Sequence, residues 1–159
     1  VHQAQSLIHD HGDKIHLPVD LAANIEGNRV DIPLDDFPIE APFWDIGIKS
    51  VFHLSAAIRR AGTIILNGPS GVFENPDFAL GTIEMLNACA ESDGYAVMGG
   101  GHTATLVAQR GLANKMGHVS TGGGACLDYI AGRPLPAVVS LEQSAVAFGI
   151  DITSAERKV

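Results

Sequence analysis

The sequence predicts an α/β fold, a parallel sheet covered by helices on both faces, and two observations carry that reading. From residue 48 onward, short apolar runs alternate with segments whose apolar residues recur three and four positions apart. Three of the runs end in glycine-rich loops: Asn67-Gly-Pro-Ser-Gly-Val-Phe-Glu74 after Thr63–Leu66, Gly99-Gly-Gly-His-Thr103 after Tyr95–Met98, and Ser120-Thr-Gly-Gly-Gly-Ala125 after His118-Val119. Open sheets of this class hold ligands at the carboxyl ends of their strands, where these loops fall.

Taken in order, Ala4 to His11 reads as a short helix stopped by Gly12, and Lys14-Ile-His-Leu17 as a strand ended by Pro18. Residues 21–42 have the least regular pattern, with a turn at Glu26-Gly-Asn28, an edge strand from Arg29 to Pro33 and proline-rich loops after it. A surface excursion is expected there. Ile48, Val51, Phe52, Leu54 and Ile58 mark an amphipathic helix that begins after Asp45-Ile-Gly47 and stops near Gly62. The strand Thr63–Leu66 follows. Pro76 suits the first turn of a helix whose face runs through Phe78, Ile83, Met85 and Leu86 to about Cys89. Strand 95–98, helix 103–111, strand 117–120 and helix 123–131 continue the alternation, and Ala137 to Phe148 forms a last helix beyond Gly132-Arg-Pro-Leu-Pro136. Residues 149–159 are polar enough to be a C-terminal tail.

Composition bounds what such a chain can do. Its 159 residues, 46% hydrophobic and 18% charged, can bury one ordinary domain core or part of one. Ten basic against 18 acidic residues give a net charge of −8 with no basic stripe, which argues against nucleic acid as a partner. The apolar runs are too short for a bilayer helix, and Val1-His-Gln-Ala-Gln5 lacks the basic and apolar regions of a signal peptide, so a cytoplasmic protein without a membrane partner is expected. Starting at Val1 and opening on a helix, the chain reads as processed or partial. Cys89 and Cys126 sit in helical patterns among small residues and read as buried free thiols.

Each glycine loop places backbone N–H groups at the start of a helix, and together they suggest a phosphate-rich ligand. Gly99-x-Gly101-x-x-Ala104 has the form of a dinucleotide fingerprint, but the acidic residue expected about 20 positions later is missing. No Gly-x-x-x-x-Gly-Lys-Ser/Thr run occurs, which argues against a P-loop enzyme. Plainer readings stand beside these. A glycine cluster also serves as a tight turn, Glu74 could cap the helix after Asn75-Pro76, and His102 could be a solvated terminus residue. Asp45 could cap the helix that follows it, Phe43 and Trp44 could cover the core, and His9-Asp10-His11 fits a solvated helix face better than a metal site.

The strings 67–74, 99–103, His118-Val-Ser-Thr-Gly-Gly-Gly-Ala125 and Gly132-Arg-Pro-Leu-Pro136, in this order and spacing, closely resemble the nucleotide-binding half of phosphoglycerate kinase. Leu17-Pro-Val-Asp20 and Asp45-Ile-Gly47 fit the same family, and the short connection between Asp20 and Asp45 is similar to that of archaeal members. The resemblance runs from about Ala4 to Ala137 and implies a Rossmann-like sheet in an incomplete domain, residues 1–148 being part of the nucleotide-binding domain.

It also implies roles. The family transfers a phosphoryl group between ATP and 3-phosphoglycerate in glycolysis and gluconeogenesis. Glu74 would hold the ribose, Pro69 and Val72 would flank the nucleotide, and Asn67 would lie near the transferred phosphate. Gly100, Gly101, His102 and Thr103 would wrap the phosphates, with Gly101, Gly123 and Gly124 at the transfer point. His102 stands where most members carry an Asp that helps hold the magnesium nucleotide. Magnesium prefers oxygen ligands, so no protein metal site is expected and Mg²⁺ would arrive on ATP or ADP. Phosphoryl transfer also demands cations, and none of the three loops contains Lys or Arg. In the family these come from an upstream lysine loop and from the domain that binds 3-phosphoglycerate. The chain is therefore expected to be a fragment that is inactive by itself. A non-catalytic nucleotide-binding module is the alternative, and a dinucleotide-dependent oxidoreductase resting on residues 99–104 is a weaker one.

Overall fold

The structure, a computed structural model, describes residues 1–152. Among these, six α-helices and six strands follow in order, alternating from β3 to α5: α1 (His2–His11), β1 (Asp20–Ile25), β2 (Asn28–Pro33), β3 (Phe43–Ile46), α2 (Ile48–Arg59), β4 (Thr63–Asn67), α3 (Leu80–Glu91), β5 (Tyr95–Gly99), α4 (Gly101–Gln109), β6 (His118–Val119), α5 (Gly124–Ile130) and α6 (Pro136–Ala147). The α/β class holds, because β4, β5 and β6 form a parallel sheet in that order with helices between them.

Strand alternation decides what this sheet buries. Ile64 pairs with Ala96 and Leu66 with Met98, so these residues share one face. Leu86 and Cys89 of α3 and Leu106 and Val107 of α4 close over it, and Leu86, Cys89, Met98 and Val107 lose all solvent contact. Side chains of that size each stabilise the fold by roughly 1.5–3 kcal/mol on burial. On the opposite face Ile65 remains 47% exposed and Tyr95 57% exposed.

Residues 21–42 depart from the expected surface excursion. β1 is the centre of a second sheet, antiparallel, in the order β2-β1-β3, and its Ala22 and Ala23 are fully buried. Glu26 and Gly27 both take positive φ, 52° and 86°, which is the two-residue hairpin turn whose twist suits paired strands. The edge strand expected from Arg29 is β2. The strand expected at Lys14–Leu17 is absent: after α1 the chain makes a 3-10 turn over Gly12–Lys14, and the extended backbone at Ile15 meets no ladder partner among the described residues. Gly12 itself keeps a right-handed helical conformation, φ −58°, so α1 tightens into that turn instead of being stopped by it.

Pro76 opens a separate 3-10 turn, Pro76–Phe78, capped by the Asn75 side chain, which accepts from Asp77 N–H at 3.1 Å. Its Phe78 is fully buried and meets Trp44 of β3 edge-on, ring centroids 5.1 Å apart. Cys89 is buried as expected, but Cys126 is only half-buried because α5 buries no residue. α6 ends in an exposed apolar surface, with Leu141 and the following Phe148 at 71% and 80% exposure. The expected tail, 149–159, lies mostly outside the described residues.

Candidate functional site

Because β5 lies between β4 and β6, the loops that leave the carboxyl ends of these strands stand side by side. The first and second are joined directly. Asn67 pairs with Gly99 across the strands, and Gly68 N–H donates to Thr103 Oγ1 at 3.1 Å. Gly68 and Gly100 take φ of 90° and 94°, a backbone path open to glycine at little cost, and it lets the two loops meet main chain to side chain. The Asn67 amide oxygen lies over Gly99, 2.5 Å from where a Cβ would stand. Phe73 packs on the core and sets its ring against His102, centroids 5.8 Å apart. Ser120 N–H donates to Met98 O at 2.7 Å, extending the β5–β6 pairing into the third loop, and Gly122 N–H folds back onto Ser120 Oγ at 3.1 Å.

The candidate residues fall unevenly on this frame. Asn67, Glu74, Gly101, His102 and Gly124 are exposed, Pro69, Gly100 and Gly123 are half-buried, Val72 is 39% exposed and Thr103 is buried. The Glu74 carboxylate accepts no hydrogen bond among the described residues, and Asn75 supplies the cap of the turn that follows. Glu74 is free for a ligand. The Thr103 hydroxyl, by contrast, is occupied as an acceptor by Gly68 and keeps its proton to donate. At the start of α4 the N–H groups of Gly101, His102 and Thr103 precede the first intrahelical bond, Ala104 N–H to Gly100 O at 2.9 Å, and so remain available as donors. Gly123 takes φ 51° ahead of α5, and among the described residues no hydrogen bond ties its loop to the first one.

Beside the first loop lies a cavity of about 350 Å³. Pro69 and Val72 line it together with Leu21, Phe43 and Trp44, and Val72 N–H is anchored to Trp44 O at 2.7 Å. Phe43 and Trp44, expected as core cover, are half-buried cavity walls instead. As neighbours on β3 they point to opposite faces, Phe43 stacking on Phe37 with centroids 5.0 Å apart and Trp44 meeting Phe78 edge-on at 5.1 Å.

Two buried carboxylates support the site from behind. Asp20, 2% exposed, caps α2 from another element: its carboxylate accepts from Lys49 N–H at 3.0 Å, Ser50 N–H at 2.8 Å and Ser50 Oγ at 2.5 Å. Burial pushes its pKa up, but the Ser50 hydroxyl, the Ser50 and Lys49 N–H groups and the Lys49 charge outweigh this and hold it below the ordinary carboxylate value. Asp45, 4% exposed, does not cap α2 as expected. It faces the first loop and α3, accepting from Gly81 N–H at 2.9 Å and from Ser70 Oγ at 3.3 Å. Sequence reasoning missed the supporting parts played by Asp20 and by Arg29, whose Nη1 donates to Asp45 Oδ2 at 3.0 Å. A charged residue flanked by small or apolar ones at the mouth of a strand was the available signal.

The phosphoglycerate kinase family model matches residues 1–133. The chain belongs to the phosphoglycerate kinase family. It is similar to the phosphoglycerate kinase of Methanothermus fervidus, 43% identical over 144 residues that make up 91% of this chain and 35% of that protein. The phosphoglycerate kinase of Methanocorpusculum labreanum is 42% identical over 149 residues, 94% of this chain and 36% of the relative. Among solved structures, phosphoglycerate kinase from Pyrococcus horikoshii superposes with a TM-score of 0.78 at 34% identity, covering 89% of this chain and 36% of that one. The expected archaeal character is borne out by these relatives, and the chain spans about a third of their length. No helix among the described residues is long and apolar enough to cross a membrane.

Proposed function

We propose that this chain is the ATP/ADP-binding portion of a phosphoglycerate kinase, the part that holds the nucleotide while a phosphoryl group passes between it and 3-phosphoglycerate. The observation that carries the reading is the stitching of the first two glycine loops, Gly68 to Thr103, at the ends of adjacent parallel strands. Such a junction holds two sets of backbone donors in fixed relation, and pre-set donors are what a charged phosphate chain needs. The base occupies the cavity walled by Trp44, Pro69 and Val72, and the ribose reaches the unpartnered Glu74. The phosphates then lie over Gly100, Gly101, His102 and Thr103, with Gly123 and Gly124 beyond them at the transfer point.

The residues present do not fit a protein-held Mg²⁺. That ion demands near-octahedral oxygen coordination, whereas the second loop offers an imidazole at His102 and a Thr103 hydroxyl already engaged. Mg²⁺ accordingly belongs to the nucleotide. The three loops lack Lys and Arg, so they orient and bind, and the phosphoryl acceptor and the cations of transfer belong to parts of the kinase outside this chain. The same lack favours a second reading, a nucleotide-binding module without catalysis.

Calorimetric titration of the complete polypeptide that carries these residues tests the proposal. ADP should bind, and Glu74→Ala should weaken it without unfolding the protein. Unchanged ADP affinity in that variant would defeat the ribose assignment, and preference for NAD over ADP would defeat the nucleotide reading as a whole. Turnover of 3-phosphoglycerate separates the kinase from the module.

A further inference from the structure

We infer that Arg29 and Asp45 form a positioning clamp that sets the nucleotide loop from the antiparallel sheet, an inference that rests on the nucleotide reading above. Arg29 leaves the edge strand β2 and reaches under the site. Its Nη1 donates to Asp45 Oδ2 at 3.0 Å and to Asp77 O at 3.0 Å, its Nη2 donates to Ile46 O at 2.8 Å, and its Nε donates to Asp31 Oδ1 at 3.1 Å. Every nitrogen of the guanidinium is committed. The side chain is only 15% exposed and the Asp45 side chain is fully enclosed, so this is a desolvated pair whose partners are fixed by geometry, not a solvated surface contact.

Asp45 carries the constraint into the loop. Its Oδ1 accepts from Ser70 Oγ at 3.3 Å and from Ile46 N–H at 2.9 Å, and its Oδ2 accepts from Gly81 N–H at the start of α3 at 2.9 Å. Ser70 is held a second time, its N–H donating to Thr82 Oγ1 at 3.1 Å. The carboxylate approaches so closely that a Cβ at Gly71 would stand 2.6 Å from Asp45 Oδ1 and 2.7 Å from Phe78 O, and one at Gly81 would collide with the same carboxylate. Asp45 also forms part of the cavity wall beside Pro69 and Val72. One carboxylate therefore fixes the height of the first loop, the start of α3 and the floor of the proposed base pocket, and Arg29 fixes that carboxylate.

Arg29 and Asp45 are positioning residues on this account, since every nitrogen of the guanidinium and both oxygens of the carboxylate are already bonded within the protein. The clamp gives β1 and β2 a place in the function, although no glycine loop belongs to them. Arg29→Lys keeps the charge but loses the planar fork that spans Asp45, Asp77 and Ile46. Asp45→Asn keeps the shape but turns one acceptor into a donor facing Arg29 or Gly81.

The test measures ADP affinity by calorimetry, and KM for nucleotide against kcat, in the complete polypeptide carrying Arg29→Lys, Asp45→Asn or the control Arg59→Ala, whose exposed pair with Glu91 lies on another surface. A clamp residue should raise the nucleotide Kd and KM roughly tenfold in the folded population. Plain destabilisation would lower the active fraction and leave KM unchanged, which counts against the clamp. Should Asp45→Asn fail to fold, Arg29→Lys carries the test alone. Affinity and KM that match the unsubstituted protein in a folded Arg29→Lys variant overturn the clamp while the nucleotide reading stands. Absence of ADP binding by the unsubstituted protein overturns both.

Discussion

Replacing Asp20 by Asn tests whether a residue at the start of one sheet holds the helix behind the site. The carboxylate is 2% exposed and satisfies the first free N–H groups of α2, at Lys49 and Ser50, while taking the Ser50 hydroxyl as a third donor. An amide has one oxygen for these three donors and turns an NH₂ group toward another of them. Losing a helix cap costs about 0.5–2 kcal/mol, and charge-assisted bonds add about 1.5–3 kcal/mol where they are buried. The combined loss should be about 3 kcal/mol, read as the difference in urea stability between two versions of the same polypeptide at pH 7.

That difference should depend on pH in a defined direction. Folding lowers the Asp20 pKa below 3.8, so its contribution is present in full above the unfolded pKa and is lost as pH falls through the folded value. The gap between the unsubstituted protein and the Asp20→Asn variant should stay constant from pH 7 to about 5 and shrink steadily below that. A gap under about 0.5 kcal/mol at pH 7 would refute the cap, because the bonds it replaces could not then be worth their ordinary value. An equal gap at low and neutral pH would refute the charged character of the interaction.

Three other outcomes follow from the same geometry. Thr103→Val removes the acceptor for Gly68 N–H, and should cost about 1 kcal/mol in denaturant melts and weaken ADP binding by calorimetry, since it parts the two loops. Leu86→Ala opens a void beneath β4 and β5 and should cost about 2–5 kcal/mol by urea unfolding, with ADP affinity of the folded protein unchanged. Burial pushes the Cys89 thiol up to about 11, so mass spectrometry after alkylation at pH 8 should find it unmodified in the folded protein and modified in urea.

The parts of the fold legible in the sequence were those written in adjacent residues. β4, β5 and the helices after them follow from apolar spacing, and the three loops follow from glycine at the end of each run. β1 escaped because Asp20-Leu-Ala-Ala-Asn-Ile25 combines residues that strands otherwise avoid, and its pairing is decided by the hairpin turn at Glu26-Gly27 and by partners up to 25 positions away. Lys14–Leu17 failed the other way, having the local pattern of a strand but no neighbour with which to form a ladder. The candidate site shows the same division. Glu74, Pro69 and Val72 are readable as loop residues, while Asp45 fits a local cap equally well in sequence, although its donors include Arg29, 16 residues earlier, and Ser70 and Gly81, 25 and 36 residues further on.

The absence of cations in the loops takes on a sharper meaning once Arg29 is placed. It is an arginine close behind the first glycine loop, and its nitrogens are already spent on Asp31, Asp45, Ile46 and Asp77. Freeing it to meet a phosphate would leave the enclosed Asp45 carboxylate unpaired, a loss that binding one more phosphate oxygen would not offset. The loops, on the proposed reading, contribute neutral donors, which can supply on the order of 10²-fold in rate when aimed at developing charge, but not the positive charge that a transferred phosphoryl group requires. On the proposed reading, binding and catalysis separate along this line: recognition of the nucleotide belongs to these residues, and turnover depends on cations brought to them from elsewhere in the kinase.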